Sequence, residues 1–348
     1  NQNQNLFPDC EEPFLRYRAD RPEFLFGLDL NHNGVIDRFE NDLEPDYPYK
    51  RDHRGFNAYV QVEVVPELQL SAGRQDMKLV AGAGRTESWY ALAAWSHRFG
   101  GGSRLRVFDF GARVRDDIPD LLRQWVQPIG APGRMVDRID FLPGLDAWKN
   151  SLYVDLDQRV GRQIRLLHRF KWDIVEQLDP EDDVRLREGR KSSGFLGAIN
   201  KAEWSIPIGL AVLEPRLKSE YRRERPFSTR QTASTSLEET FFLMWTQPLF
   251  AETVGISYFP RYGRQLFNTE LQVGLEAGWL WLLQGVREAV DADFFGWTGV
   301  VQLKNRTAYQ GYQVVATTGV QLQQRRFEGR APQEASLVFM TLYAGLSQ

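Results

Sequence analysis

One cysteine, Cys10, occurs in 348 residues, so no intrachain disulfide braces this chain. Only four histidines are present (His32, His53, His97 and His168), with no HExxH pattern and no paired-cysteine zinc spacing. GxSxG, Walker and strand-following GxGxxG patterns are missing as well. Carboxylate clusters such as Glu181-Asp182-Asp183 and Glu238-Glu239 are too common to single out an acid/base pair. The expectation is therefore a protein that is not an enzyme. Charge of one sign is lacking too: the net charge is -3, which gives no basis for nucleic-acid binding or a polybasic membrane patch. No apolar run approaches the roughly 18 residues of a membrane-spanning helix. The longest candidate, residues 275–286, is broken by Glu276, Gly278 and Gln284. No signal-peptide pattern opens the chain, and Asn1-Gln-Asn-Gln-Asn5 reads as the interior or mature end of a longer precursor.

Aromatic residues, by contrast, are abundant: 10 Trp, 12 Tyr and 22 Phe. From Phe56 onward they fall into alternation. Phe56, Ala58, Val60, Val62 and Val64 share one face, and Trp89, Ala91, Ala93 and Trp95 another. Ile164, Leu166, His168, Phe170, Trp172 and Ile174 oppose Arg165, Leu167, Arg169, Lys171 and Asp173. Leu213, Pro215, Leu217 and Tyr221 oppose Glu214, Arg216, Lys218, Glu220 and Arg222. Similar runs follow at 270–281, 314–323 and 337–343. Period-two alternation places successive side chains on opposite faces of a strand. These strands run to ten residues or more, whereas soluble strands centre on about five or six.

One apolar, aromatic face and one charged face on long strands is the pattern of a membrane barrel with lipid outside and a wet lumen. Residues 53–348 resemble a bacterial outer-membrane β-barrel of the porin type, in architecture rather than in motif. The resemblance implies an all-β, antiparallel transmembrane barrel of about 14 strands (12–16), surrounded by outer-membrane lipid. Trp89, Trp95, Tyr258, Phe259, Trp297, Tyr309, Tyr312 and Tyr343 fit interfacial girdles. Many such barrels end on an aromatic residue, whereas this chain ends Tyr343-Ala-Gly-Leu-Ser-Gln348. The alternative is a soluble β-sandwich or barrel whose aromatic face is an ordinary core. Gly100-Gly-Gly-Ser and Arg261-Tyr-Gly-Arg read as tight turns, and Asp116 to Asn150, with four prolines, as a long loop folded into the lumen or over the mouth.

Residues 1–52 have a different texture, rich in Pro, Asn and acids. Within them Asp29-Leu-Asn31-His-Asn33-Gly34-Val35-Ile-Asp37-Arg-Phe-Glu40 resembles an EF-hand calcium loop. Oxygen side chains fall at loop positions 1, 3, 5 and 9, glycine at 6, a backbone carbonyl (Val35) at 7 and a potentially bidentate Glu40 at 12. Pro22 and Gly27 argue against the helix that precedes a full EF-hand. The expected cofactor is thus a structural Ca2+, held by Asp29, Asn31, Asn33, Val35, Asp37 and Glu40, with the segment at one mouth of the barrel.

Arg165, Arg169, Lys171, Glu214, Arg216, Lys218, Glu220 and Arg222 are expected to line the lumen with both signs of charge. An open lumen makes a passive channel for small polar solutes. If the charges pair and close it, the barrel anchors or scaffolds an envelope or surface assembly, with residues 1–52 as the partner-binding segment. A third reading is a soluble secreted β-protein that binds a ligand.

Overall fold

The computed structural model describes Tyr17, Asp20, Phe24 and residues 53–118, 121–126, 134–139, 146–178, 190–227, 229, 232–250, 267–285, 294–309, 312–327 and 331–346. Among these the chain is one antiparallel sheet of fourteen strands and a separate two-stranded hairpin. The strands are β1 (His53–Val65), β2 (Leu68–Leu79), β3 (Arg85–Arg98), β4 (Arg104–Asp116), β5 (Leu121–Val126), β6 (Arg134–Ile139), β7 (Ala147–Val160) and β8 (Ile164–Gln177). They continue with β9 (Ser192–Trp204), β10 (Ile206–Ile208), β11 (Ala211–Arg225), β12 (Ser234–Phe250), β13 (Phe267–Gln284), β14 (Phe294–Tyr309), β15 (Tyr312–Phe327) and β16 (Gln333–Leu346). Sequence neighbours pair, except that β4 passes over the β5–β6 hairpin to pair with β7 and β9 passes over β10 to pair with β11, which β10 also joins. The long 116–150 segment thus contains a hairpin and the start of a sheet strand.

The ladder from β9 to β11 is interrupted at Ser205, and the three-residue β10 resumes it. Pro215 lies on β11 at this break, where the missing N–H of proline removes a ladder bond. Connections differ between the two ends of the sheet. At one end lie 66–67, 99–103, 161–163, 209–210 and 310–311, together with the longer 251–266. At the other lie 80–84, 117–146, 178–191, 226–233, 285–293 and 328–332. Tight turns are possible at the first end because glycine adopts positive φ there: Gly101 at 79°, Gly161 at 65° and Gly209 at 62°.

Burial runs opposite to that of a soluble sheet. Lys171, Lys201, Lys218, Glu220, Glu276 and Gln302 are buried, while Trp172, Leu217, Leu275, Trp281, Val301 and Leu322 are exposed. Cross-strand register keeps each class on its own face. Lys201, Lys218 and Thr240 are aligned across β9, β11 and β12, and Leu243, Leu275 and Gly299 across β12, β13 and β14. The sheet is therefore curled round its polar face, consistent with a 14-strand barrel, and that face is called inner below. No ladder joins β1 to β16 among the described residues, and both strands are largely exposed.

Several outward aromatic residues lie toward the strand ends, while Phe170 and Phe241 lie at mid-strand. Trp89, Trp148, Trp279 and Trp281 lie toward the long-loop end, and Phe99 and Trp204 toward the tight-turn end, all exposed. Arg74 lies over the Trp89 ring at 4.9 Å.

Candidate functional site

All eight charged residues expected in the lumen project from the inner face, and each is ion-paired. Four pairs follow from the strand period, since residues two apart share a face. They are Lys171–Asp173 at 3.1 Å, Arg216–Glu214 at 3.0 Å, Lys218–Glu220 at 3.0 Å and Arg222–Glu224 at 3.7 Å. Arg165 reaches across to Asp157 on β7 at 2.7 Å. Side-chain exposure falls from 43% at Arg165, near the tight-turn end, to 4% at Lys218 and Glu220 deeper in.

The eighth residue, Arg169, is paired in another way. Arg169 binds Asp20, a residue of the N-terminal segment and of no strand. Asp20 lies on the inner face with Lys201 Nζ 2.7 Å and Lys218 Nζ 3.5 Å from its Oδ1. Lys201 and Lys218 stand directly opposite each other on β9 and β11, both buried. Like charges so placed repel, and the Asp20 carboxylate between them supplies the missing counter-charge. Burial pushes the Asp20 carboxyl up, but Lys201, Lys218 and Arg169 outweigh it and hold it below the usual carboxylate range.

Tyr17 and Phe24 flank Asp20 along the same wall. The Tyr17 ring stacks on Phe242 of β12, centroids 5.3 Å apart and planes 14° apart. Lys201 and Arg216 lie over the Tyr17 ring at 5.6 and 5.5 Å. Its hydroxyl donates to Glu203 Oε1 at 2.7 Å, and its backbone N–H donates to Glu276 Oε2 at 3.1 Å. Burial, and then the Glu203 carboxylate, push this phenol well above its usual value. Phe242, Met244 and Val300 form with Tyr17 an apolar cluster on the inner face, with Phe339 against it.

Phe24, fully buried, meets the Phe195 ring edge-on at 5.3 Å. It also lies over Gly197, where a Cβ would meet both Phe24 and the Phe195 ring, the latter at 2.7 Å. Tyr17, Asp20 and Phe24 thus stand at successive levels of β9, beside Glu203, Lys201 and Gly197. The sequence reading puts the N-terminal segment at one mouth. Three of its residues, Tyr17, Asp20 and Phe24, lie against the inner face of the sheet, and the rest lies outside the described residues. Gly197→Val is expected to weaken the Phe24 seat by about 1–3 kcal/mol through overpacking. Limited proteolysis of residues 1–52 in the folded protein checks this.

The expected calcium ligands Asp29, Asn31, Asn33, Val35, Asp37 and Glu40 lie outside the described residues, as do Tyr258, Phe259 and the turn at 261–264. Among the described residues no group of three or more His, Cys, Asp or Glu side chains is placed to hold a metal. Sequence reasoning missed Tyr17, Asp20 and Phe24, and also Lys201 and Glu203 on β9. Lys201 and Glu203 carry a legible signal, charges two residues apart on a strand, whereas Asp20 carries none. No protein-family model matches the chain, and no curated protein matches its sequence.

Proposed function

We propose that the chain is an outer-membrane β-barrel that passes small polar solutes passively, through a lumen narrowed by its own N-terminal segment. The observation that carries this reading is the inverted burial: a charged face turned in and an aromatic, aliphatic face turned out. In water that outer face would be a very large apolar patch, whereas in lipid it is the solvent-matched surface. Mostly tight turns at one end, mostly longer connections at the other and outward tryptophans near both ends support the same reading.

Lipid also demands that no strand edge stay open, since unpaired backbone groups there cost several kcal/mol each. The barrel therefore closes between β1 and β16. Thirteen of the fourteen strands form the continuous antiparallel path, β10 continuing the line of β9, so β1 and β16 run in the same direction and their seam is parallel.

The first test is gel mobility in SDS, with and without boiling, on a fractionated cell envelope. A heat-dependent shift in the outer-membrane fraction supports the barrel. Protein in the soluble fraction with no shift overturns it. Conductance in planar bilayers then tests transport. A second reading, a non-transporting anchor for an envelope or surface assembly, is favoured by the ion pairing of all eight expected lumen residues and by Tyr17, Asp20 and Phe24 on the inner face. A folded barrel that carries no current at any voltage would establish that reading instead.

Calcium in the Asp29–Glu40 loop is part of the proposal, as a structural ion. Asp29→Ala combined with Glu40→Ala, or a chelator, is expected to raise protease sensitivity of residues 1–52 and leave the heat-dependent shift intact. Equal protection with and without chelator removes the metal.

A further inference from the structure

We propose that Arg169, Lys201 and Lys218, with the Phe242 ring beside them, form a binding site for a small hydroxyaryl carboxylate, which here is filled by the chain's own Tyr17 and Asp20. The inference rests on the lumen reading above and deepens it by naming a solute class.

The wall is built for an anion. Two buried lysines face each other in register, and Arg169 adds a third cation. Lys218 also pairs with Glu220, but Arg169 and Lys201 have no carboxylate partner besides Asp20 among the described residues. Asp155, opposite Arg169 on β7, is engaged by Arg106, and Glu220 by Lys218, so Arg169 and Lys201 take their counter-charge from outside the sheet. Asp20 supplies it, as a ligand does.

The aryl half adjoins the carboxylate half and shares a residue with it. Lys201 Nζ is 2.7 Å from Asp20 Oδ1 and 5.6 Å from the Tyr17 ring centroid. One small molecule can therefore meet both. Phe242 offers a stacking face, Arg216 a cation over the ring, and Glu203 an acceptor for a phenolic hydroxyl. A carboxylate on the lysines, a ring on Phe242 and a hydroxyl on Glu203 together specify a hydroxyaryl carboxylate. A bare inorganic anion satisfies only the first of these contacts.

A tethered occupant lowers the apparent affinity of a free one by the fraction of time it holds the site. The test uses calorimetry on the full detergent-folded chain, with 3-(4-hydroxyphenyl)propionate, its uncharged amide and inorganic phosphate as probes. Asp20→Asn is expected to bind the acid at least about tenfold more tightly than the unsubstituted protein, because the competing carboxylate is gone. The amide should show no such gain, and adding Lys201→Met should reverse it. No gain, or equal gains for acid and amide, overturns the site. Phosphate binding as tight as the acid overturns the aryl half. If Asp20→Asn fails the heat-shift check for folding, the unsubstituted chain decides: the acid, and not the amide, should speed proteolysis of residues 1–52, and no difference overturns the proposal. Conductance without binding overturns this inference alone. Binding without conductance upholds the site and overturns the channel.

Discussion

Leu275→Arg is expected to lower the unfolding free energy in lipid vesicles by about 2–4 kcal/mol, the cost of a cation at the bilayer midplane on a lipid-facing strand. Leu275 lies near the centre of β13, the longest strand, and is exposed at 44%. Its cross-strand neighbours on the outer face are Leu243 and Gly299. Leu283, near the end of the same strand and also outward, gives the internal control, since an arginine close to the interface costs only about 0–1 kcal/mol. Urea unfolding followed by tryptophan fluorescence measures both. Were the outer face bathed in water, both substitutions would fall within about 0.5 kcal/mol, as exposed surface changes do. Equal, small costs at the two positions would therefore remove the membrane.

The same two-solvent argument explains how much of the fold is legible in the sequence. Each face of β8 and β11 must match a different environment, so the residues carry a period of two that needs no knowledge of partners. Arg165, Arg169 and Lys171 opposite Phe170 and Trp172 place a strand and its orientation together. The β5–β6 hairpin is hidden because its two six-residue strands lie among Pro119, Pro128, Pro132 and Pro143, where prolines dominate the local reading. Loop ends are misjudged for a related reason. Asp179 to Gly194 and Glu224 to Ser236 read from their polar sequence as loops, yet cross-strand pairing carries β9 through Ser192 and Ser193 and β12 through Ser234.

Where a strand's environment is periodic, a plug's is not. Tyr17 meets Glu203 and Glu276, 186 and 259 residues away, and Asp20 meets Arg169, 149 residues away. Those partners lie on three different strands, and nothing local to Tyr17-Arg-Ala-Asp20 announces them. The two buried lysines are a trace. Lys201 and Lys218 become a like-charged pair only once register aligns β9 with β11.

Asp20→Asn is expected to release the N-terminal segment, because three cations then face an uncharged amide. Removing one partner of a buried ion pair costs about 3–5 kcal/mol. The lower end applies here, since Arg169 is 26% exposed and regains water. A dye on Cys10, the only cysteine, reports seating by energy transfer from the barrel tryptophans. Acid should act on the unsubstituted protein in the same way. The Asp20 carboxyl titrates below its ordinary value of 3.8 when seated, so its contribution is complete above that value and is lost as pH falls through the lower, seated one. Tyr17 works in the opposite direction. Its phenol titrates above the ordinary 10.0, so its contribution is present below that pH and is lost as pH rises toward the seated value. Seating is thus flat through neutrality and weakens at both extremes. Glu203 and Glu276 also hold Tyr17, so the Asp20 share is the part of the acid limb that Asp20→Asn removes. An unchanged acid limb in that variant would mean that other carboxylates, and not the clamp on Asp20, hold the segment in the lumen.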